Sequence, residues 1–143
     1  MSANVFPTMT KRVWLRLRFE LDGQVRQGLY EAALQRRGGL CAAEYAEEDG
    51  TSVRIVFSRA AVSVTRKGKE LQAFYRFEAD RQTVCRIETG CGPLALPVFT
   101  QVCRVEPERP HAQVQYLVLQ GDEEPIQGRF LAVLSEAERE KSV

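Results

Sequence analysis

The chain has 143 residues, a length that fits one domain with enough interior to fold without disulfide or metal staples. Its 20 basic and 19 acidic residues leave a formal net charge of +1, so no strong field gathers nucleic acid or an anionic membrane, and its 44% hydrophobic and 27% charged content is that of an ordinary soluble globular domain. No run approaches the roughly 20 apolar residues of a membrane span, Met1 to Thr10 lacks a signal-peptide core, and the expectation is a cytoplasmic protein whose cysteines, Cys41, Cys85, Cys91 and Cys103, are reduced and, Cys91 apart, buried as small apolar side chains.

Residues 1–10 read as a flexible arm. From Lys11 the pattern turns regular: Val13, Leu15, Leu17, Phe19 and Leu21 share one parity, and Arg12, Trp14, Arg16, Arg18 and Glu20 the other, the period of a half-buried strand. Asp22-Gly23 signals a turn. Residues 27–36 read as a strand entering a hairpin at Arg36-Arg37-Gly38-Gly39, although Leu29, Ala33 and Arg36 are also spaced as on a helix. Leu40 to Glu47 follows, then Asp49-Gly50, another hairpin signal.

Val53, Ile55 and Phe57 alternate with polar residues, as do Val62 and Val64; Lys67-Gly68-Lys69 turns the chain into Leu71 to Glu78. Gln82 to Thr89 places Thr83, Cys85, Ile87 and Thr89 on one parity. The stretch Glu88 to Thr100 is strand, tight turn and strand. Leu94, Leu96 and Val98 then share one parity and Phe99, Cys103 and Val105 the other, which predicts a bulge or bend near Pro97. Pro107 to Pro110 is a loop, Ala112 to Gln120 and Ile126 to Leu134 are strands, and Ser135 to Lys141 is charged and helix-prone.

Nine or ten short strands therefore follow in series, with no helix long enough for a parallel crossover. The expected fold is all-β, an antiparallel up-and-down barrel of 8–10 strands, with an arm at 1–10, a barrel domain at 11–135 and a short helical, charged tail at 136–143. Meandering hairpins favour such a barrel over a Greek-key sandwich.

Val64-Thr65-Arg66-Lys67-Gly68, Phe77, Ile87-Glu88-Thr89-x-x-Gly92-Pro93-Leu94, Val98-Phe99-Thr100 and the alternation at Val114-x-Tyr116 together resemble the YwiB family of bacterial proteins. The resemblance runs from about Arg12 to Val133, and its most specific parts are the Thr-Arg-Lys-Gly and Thr-x-x-Gly turns; the family often carries an aromatic where this chain has Ile87. It implies a calycin-like (lipocalin-type) β-barrel and no assigned activity.

Chemistry is scarce. The one histidine, His111, reads as a solvated loop residue, which leaves no triad or histidine base. One histidine and four scattered cysteines do not make a zinc site, and Gly90-Cys91-Gly92 lacks the helix that a phosphate loop needs. Cys91 has no cationic neighbour to activate its thiol, and Glu47-Glu48-Asp49 and Glu123-Glu124 read as solvated turn residues. No catalytic constellation, metal or cofactor is expected.

The barrel interior remains. Parity places Arg66 on the line of Val62 and Val64, and Thr89 on that of Cys85 and Ile87; Tyr75, Thr100 and Tyr116 also fall on inward lines. Arg66 either leaves the strand end to bond backbone or meets an anionic head group at the barrel mouth; the tyrosines and threonines are either satisfied polar tips or ligand contacts. One functional expectation is therefore a barrel that binds a small apolar or amphipathic anion through Arg66, Tyr75, Thr89, Thr100 and Tyr116. The alternative is a filled barrel that contacts a protein partner, or a second copy, through Trp14, Arg16 and Arg18, unless the arm or tail covers Trp14. Single-stranded nucleic acid on that face is disfavoured by the neutral net charge, and no membrane partner is expected.

Overall fold

The alternation along the chain becomes ten β-strands in the computed structural model, which describes residues 9–106 and 108–136. They are β1 (Met9–Leu21), β2 (Gln24–Arg37), β3 (Leu40–Ala46), β4 (Ser52–Phe57), β5 (Ala61–Lys67), β6 (Gln72–Glu78), β7 (Arg81–Thr89), β8 (Gly92–Glu106), β9 (His111–Gln120) and β10 (Glu123–Glu136). Each is antiparallel to its neighbour in sequence, and β10 returns to pair with β1, from Val13↔Glu136 to Leu21↔Gly128. The result is a closed up-and-down barrel. The described residues contain no helix. Residues 27–36 lie wholly within β2, where the helical spacing loses to pairing with β1 and β3.

Turn chemistry sets the register. Asp22 and Gly23 both have positive φ, 52° and 82°, and join the paired residues Leu21 and Gln24; a two-residue turn of this kind twists with its strands, and glycine takes the second position without strain. The β3–β4 turn closes through Glu47 N–H to Thr51 O and Gly50 N–H to Glu47 O, at 2.8 and 2.9 Å, while Asp49 Oδ1 accepts the Thr51 N–H at 2.9 Å.

The two ends differ. At the end holding the β2–β3, β4–β5, β6–β7 and β8–β9 turns, Val13, Leu15, Ile55, Phe57, Val62 and Val114 are fully buried, each worth about 1.5–3 kcal/mol relative to exposure. β8 runs on past the β6–β7 turn: Asp80 N–H bonds Thr100 O at 2.8 Å, and beyond it the Cys103 thiol reaches Phe77 O at 3.7 Å. This closes the barrel there. Toward the opposite end the lining is only half-buried, through Phe19, Tyr30, Tyr75, Ile87, Leu96, Tyr116 and Val118.

Several expectations are corrected. The bulge lies between Thr100 and Val102, not at Pro97; Pro97 pairs with Val84 in register, and the β8–β9 register starts one residue later, at Val98, where a missing N–H is tolerated. The extra residue, Gln101, moves Cys103 and Val105 onto the inner side. His111 opens β9 and is half-buried. Met9 and Thr10 already belong to β1, and Ser135 and Glu136 to β10; the rest of the arm and of the helical tail lies outside the described residues.

One wall is incomplete. The β6–β7 register covers only Gln72↔Glu88, Ala73↔Ile87 and Phe74↔Arg86. Nearer the closed end the strands are bridged by a side chain, the Thr83 hydroxyl donating to Arg76 O at 2.5 Å. By contrast β4 and β5 pair from Ser52↔Lys67 through Phe57↔Val62.

Candidate binding end of the barrel

All four tyrosines of the chain, Tyr30, Tyr45, Tyr75 and Tyr116, converge on the inner side of the barrel, brought from four different strands. Tyr30 and Tyr45 stack with centroids 4.4 Å apart; Phe77 lies 4.8 Å from Tyr116 and 6.4 Å from Tyr75, and Phe130 lies beneath, 6.2 Å from Phe77. Two glycines make room for these rings. A Cβ on Gly28 would stand 2.7 Å from the Tyr30 hydroxyl, and one on Gly128 2.3 Å from Tyr116 Cζ. The rings therefore lie along the wall over bare backbone, an aromatic covering its glycine.

The electrostatics favour neutral hydrogen-bonding groups. Burial, then the neighbouring Tyr75 and Cys85, pushes the Tyr116 phenol up to about 12. Burial raises Tyr75 and Tyr45 as well, Glu47 adding to the effect at Tyr45, and it lifts the Cys85 thiol to about 12. At neutral pH these groups keep their protons, so the phenols offer hydrogen bonds. Among the described residues no partner bonds any of the four tyrosine hydroxyls.

Arg66 reaches this end from β5, but not to strand-end backbone. Its Nη2 donates to Glu47 Oε1 at 2.6 Å, with 20% and 16% of the two side chains exposed. Glu47 is thus no solvated turn carboxylate, and it neutralises the cation expected to hold an anion. Arg26, which the sequence did not single out, shares the inner parity of Tyr30, stands opposite Phe19 at the rim and forms no ion pair among the described residues.

The remaining predicted residues separate. Thr100 is fully buried opposite Tyr116, and its Oγ1 lacks a partner among the described residues. Thr89 is not part of the interior: the strand ends there, and its exposed hydroxyl donates to Gly92 O at 3.1 Å and accepts the Cys91 N–H at 3.1 Å. Trp14, Arg16 and Arg18 lie on the outer wall of β1. The arginines are exposed, with Arg18 3.4 Å from Glu20, whereas Trp14 is half-buried and its Nε1 has no partner among the described residues.

Two surface hollows also lie outside the barrel. One of about 440 Å³ is lined by Phe74, Arg76, Thr83, Val84 and Arg86 over the incomplete β6–β7 wall; the other, about 350 Å³, follows the outer side of β1 to β3. Among the described residues no cluster of His, Cys, Asp and Glu could hold a metal ion, and no helix is long and apolar enough to cross a membrane.

No curated protein matches the sequence. Among solved structures the chain is similar to the YwiB protein of Bacillus subtilis, with a TM-score of 0.71, 14% identity, and coverage of 94% of this chain and 99% of that one. At that identity the likeness speaks to fold, and a closed ten-strand meander fits a calycin-like barrel. The family described as "Domain of unknown function (DUF1934)" matches residues 27–129. That span is well over half of the sequence, and the chain belongs to the DUF1934 family.

Proposed function

We propose that this protein binds a small amphipathic anion in the half-buried end of its barrel. The observation that carries the reading is the gathering of all four tyrosines on the inner side, with hydroxyls unpartnered among the described residues. A ten-strand barrel is wider than the eight-strand kind that holds one small ligand, and at this end Ala73 stands small between Arg66 and Ile87. The apolar part of the ligand lies among Phe19, Ile87, Leu96 and Val118. Its polar part meets the phenols, and its charge faces Arg26 at the rim, because Arg66 is already matched by Glu47.

Titration with 1-anilinonaphthalene-8-sulfonate, an amphipathic aromatic anion, tests the proposal, with native mass spectrometry counting bound molecules. Wild type binds one; Arg26→Ala weakens binding about tenfold, the effect of one lost charge-assisted hydrogen bond, and Tyr75→Phe/Tyr116→Phe, which removes two hydroxyls, weakens it at least as much. No binding to wild type, or equal binding by both variants, would sink it. A second reading, a homodimer through Trp14, is favoured by its place on the outer wall beside the exposed Arg16 and Arg18; the same spectra would show a dimer that Trp14→Ala abolishes.

A further inference from the structure

We infer that the β6–β7 seam is the door through which the ligand passes, and that the groove over it is a landing site for an amphipathic anion. The inference rests on the barrel-binding reading above. Three cross-strand pairs hold this wall, all toward the half-buried end. Continued in the same register, Tyr75 would face Cys85, Arg76 would face Val84 and Phe77 would face Thr83, but no such pairs form among the described residues. The Thr83 hydroxyl on Arg76 O is the latch across that stretch.

Both sides of the seam suit the same passenger. Outside, Phe74 and Val84 are 40% and 43% exposed, and the groove they share with Arg76, Thr83 and Arg86 contains two guanidinium groups and no acid. Arg76 is partly engaged, 3.4 Å from Ser63 Oγ and 3.6 Å from Glu78, and Glu78 also serves Arg81 at 3.5 Å. Arg86 forms no ion pair among the described residues. An apolar floor flanked by arginines is complementary to an anion with a hydrophobic body. Inside, the seam is backed by Tyr75, Phe77 and Cys85, and the Phe77 ring touches Tyr116. A molecule crossing here passes Phe77 and Cys85, both buried in the core, and reaches Tyr75 and Tyr116 directly beside them.

A door changes rates rather than affinity. With stopped-flow binding of 1-anilinonaphthalene-8-sulfonate, Thr83→Val, which removes the latch, is expected to raise the on and off rates together, about fivefold for one lost hydrogen bond, while Kd stays within about twofold. A disulfide in Arg76→Cys/Val84→Cys slows both rates tenfold or more relative to the same variant in reductant, and this second variant keeps the test available if Thr83→Val folds poorly. Arg86→Ala lowers the on rate and weakens its salt dependence. Amide hydrogen exchange in 75–78 and 81–85 should outpace that of the fully paired β4 and β5. Binding with unchanged rates in the Thr83→Val and stapled variants, or equal exchange protection, overturns the seam alone. A wild type that binds no probe overturns the barrel-binding reading and the door with it.

Discussion

Arg66 and Glu47 sit 2.6 Å apart with most of each side chain out of water, a setting in which removing one partner costs more than the pair contributes. Glu47→Leu should lower the unfolding free energy by about 1–3 kcal/mol, because the guanidinium stays half-buried without its acceptor. The double change Glu47→Leu/Arg66→Met should recover most of that loss. Urea denaturation of the set checks it, and a single variant as stable as wild type contradicts it. Parity brought Arg66, Tyr75, Thr100 and Tyr116 to the inner side from sequence alone. It misplaced Thr89, because a strand's alternation says nothing of where the strand stops. Glu47 escaped notice because Glu47-Glu48-Asp49-Gly50 has the composition of a solvated turn, and only the β3–β4 turn geometry returns its carboxylate to Arg66.

Hairpins were the most legible elements. Asp22-Gly23 and Asp49-Gly50 announce their turns through residues that accept positive φ or cap a backbone N–H. Cross-strand matching was not legible. The glycine of β10 that lies under Tyr116 is set by a register between residues 12 positions apart, and the stretch of β6–β7 without pairs leaves no trace in a period-two pattern. Gln101 carries the bulge although Pro97 has the stronger sequence signature, since the proline falls where the β8–β9 pairing has not yet begun. Gly128→Val puts a side chain 2.3 Å from Tyr116 Cζ. It is expected to cost about 1–3 kcal/mol as an overpacked wall and to swing the ring into the interior; Gly128→Val/Tyr116→Ala relieves it. Thermal unfolding and near-ultraviolet circular dichroism of the tyrosines measure the two effects, and an unchanged spectrum in Gly128→Val argues against the ring's place on the wall.

Across the whole molecule, nine or ten strands in a meander followed from punctuation and alternation, and pairing fixes the number at ten, while closure was an inference from the need to hide sheet edges. The helix-prone Ser135 and Glu136 became strand because they pair with Trp14 and Val13, local preference yielding to the closing ladder. A barrel that buries phenols and thiols ties stability to alkaline pH. Unfolded, a tyrosine ionises near 10 and a cysteine near 8.5; folded, Tyr116 and Cys85 are both held up to about 12. Above pH about 8.5 the unfolded chain releases protons that the barrel retains, so stability is complete below that value and declines toward pH 12. The slope reaches about 1.4 kcal/mol per pH unit for each group in its window. Urea midpoints from pH 7 to 11 at constant ionic strength should fall accordingly, and less steeply in Tyr116→Phe; a flat profile contradicts the burial.

The β1–β10 ladder joins the earliest strand to the last, which bears on synthesis at the ribosome. While β10 is still in the exit tunnel, β1 and β9 each present an unsatisfied backbone flank, and a partial sheet with two raw flanks invites pairing with other nascent chains. Low-order hairpins can assemble as they emerge, but nothing seals until Glu136 is free. Ribosomal pausing before Glu136 has emerged would prolong that vulnerable interval.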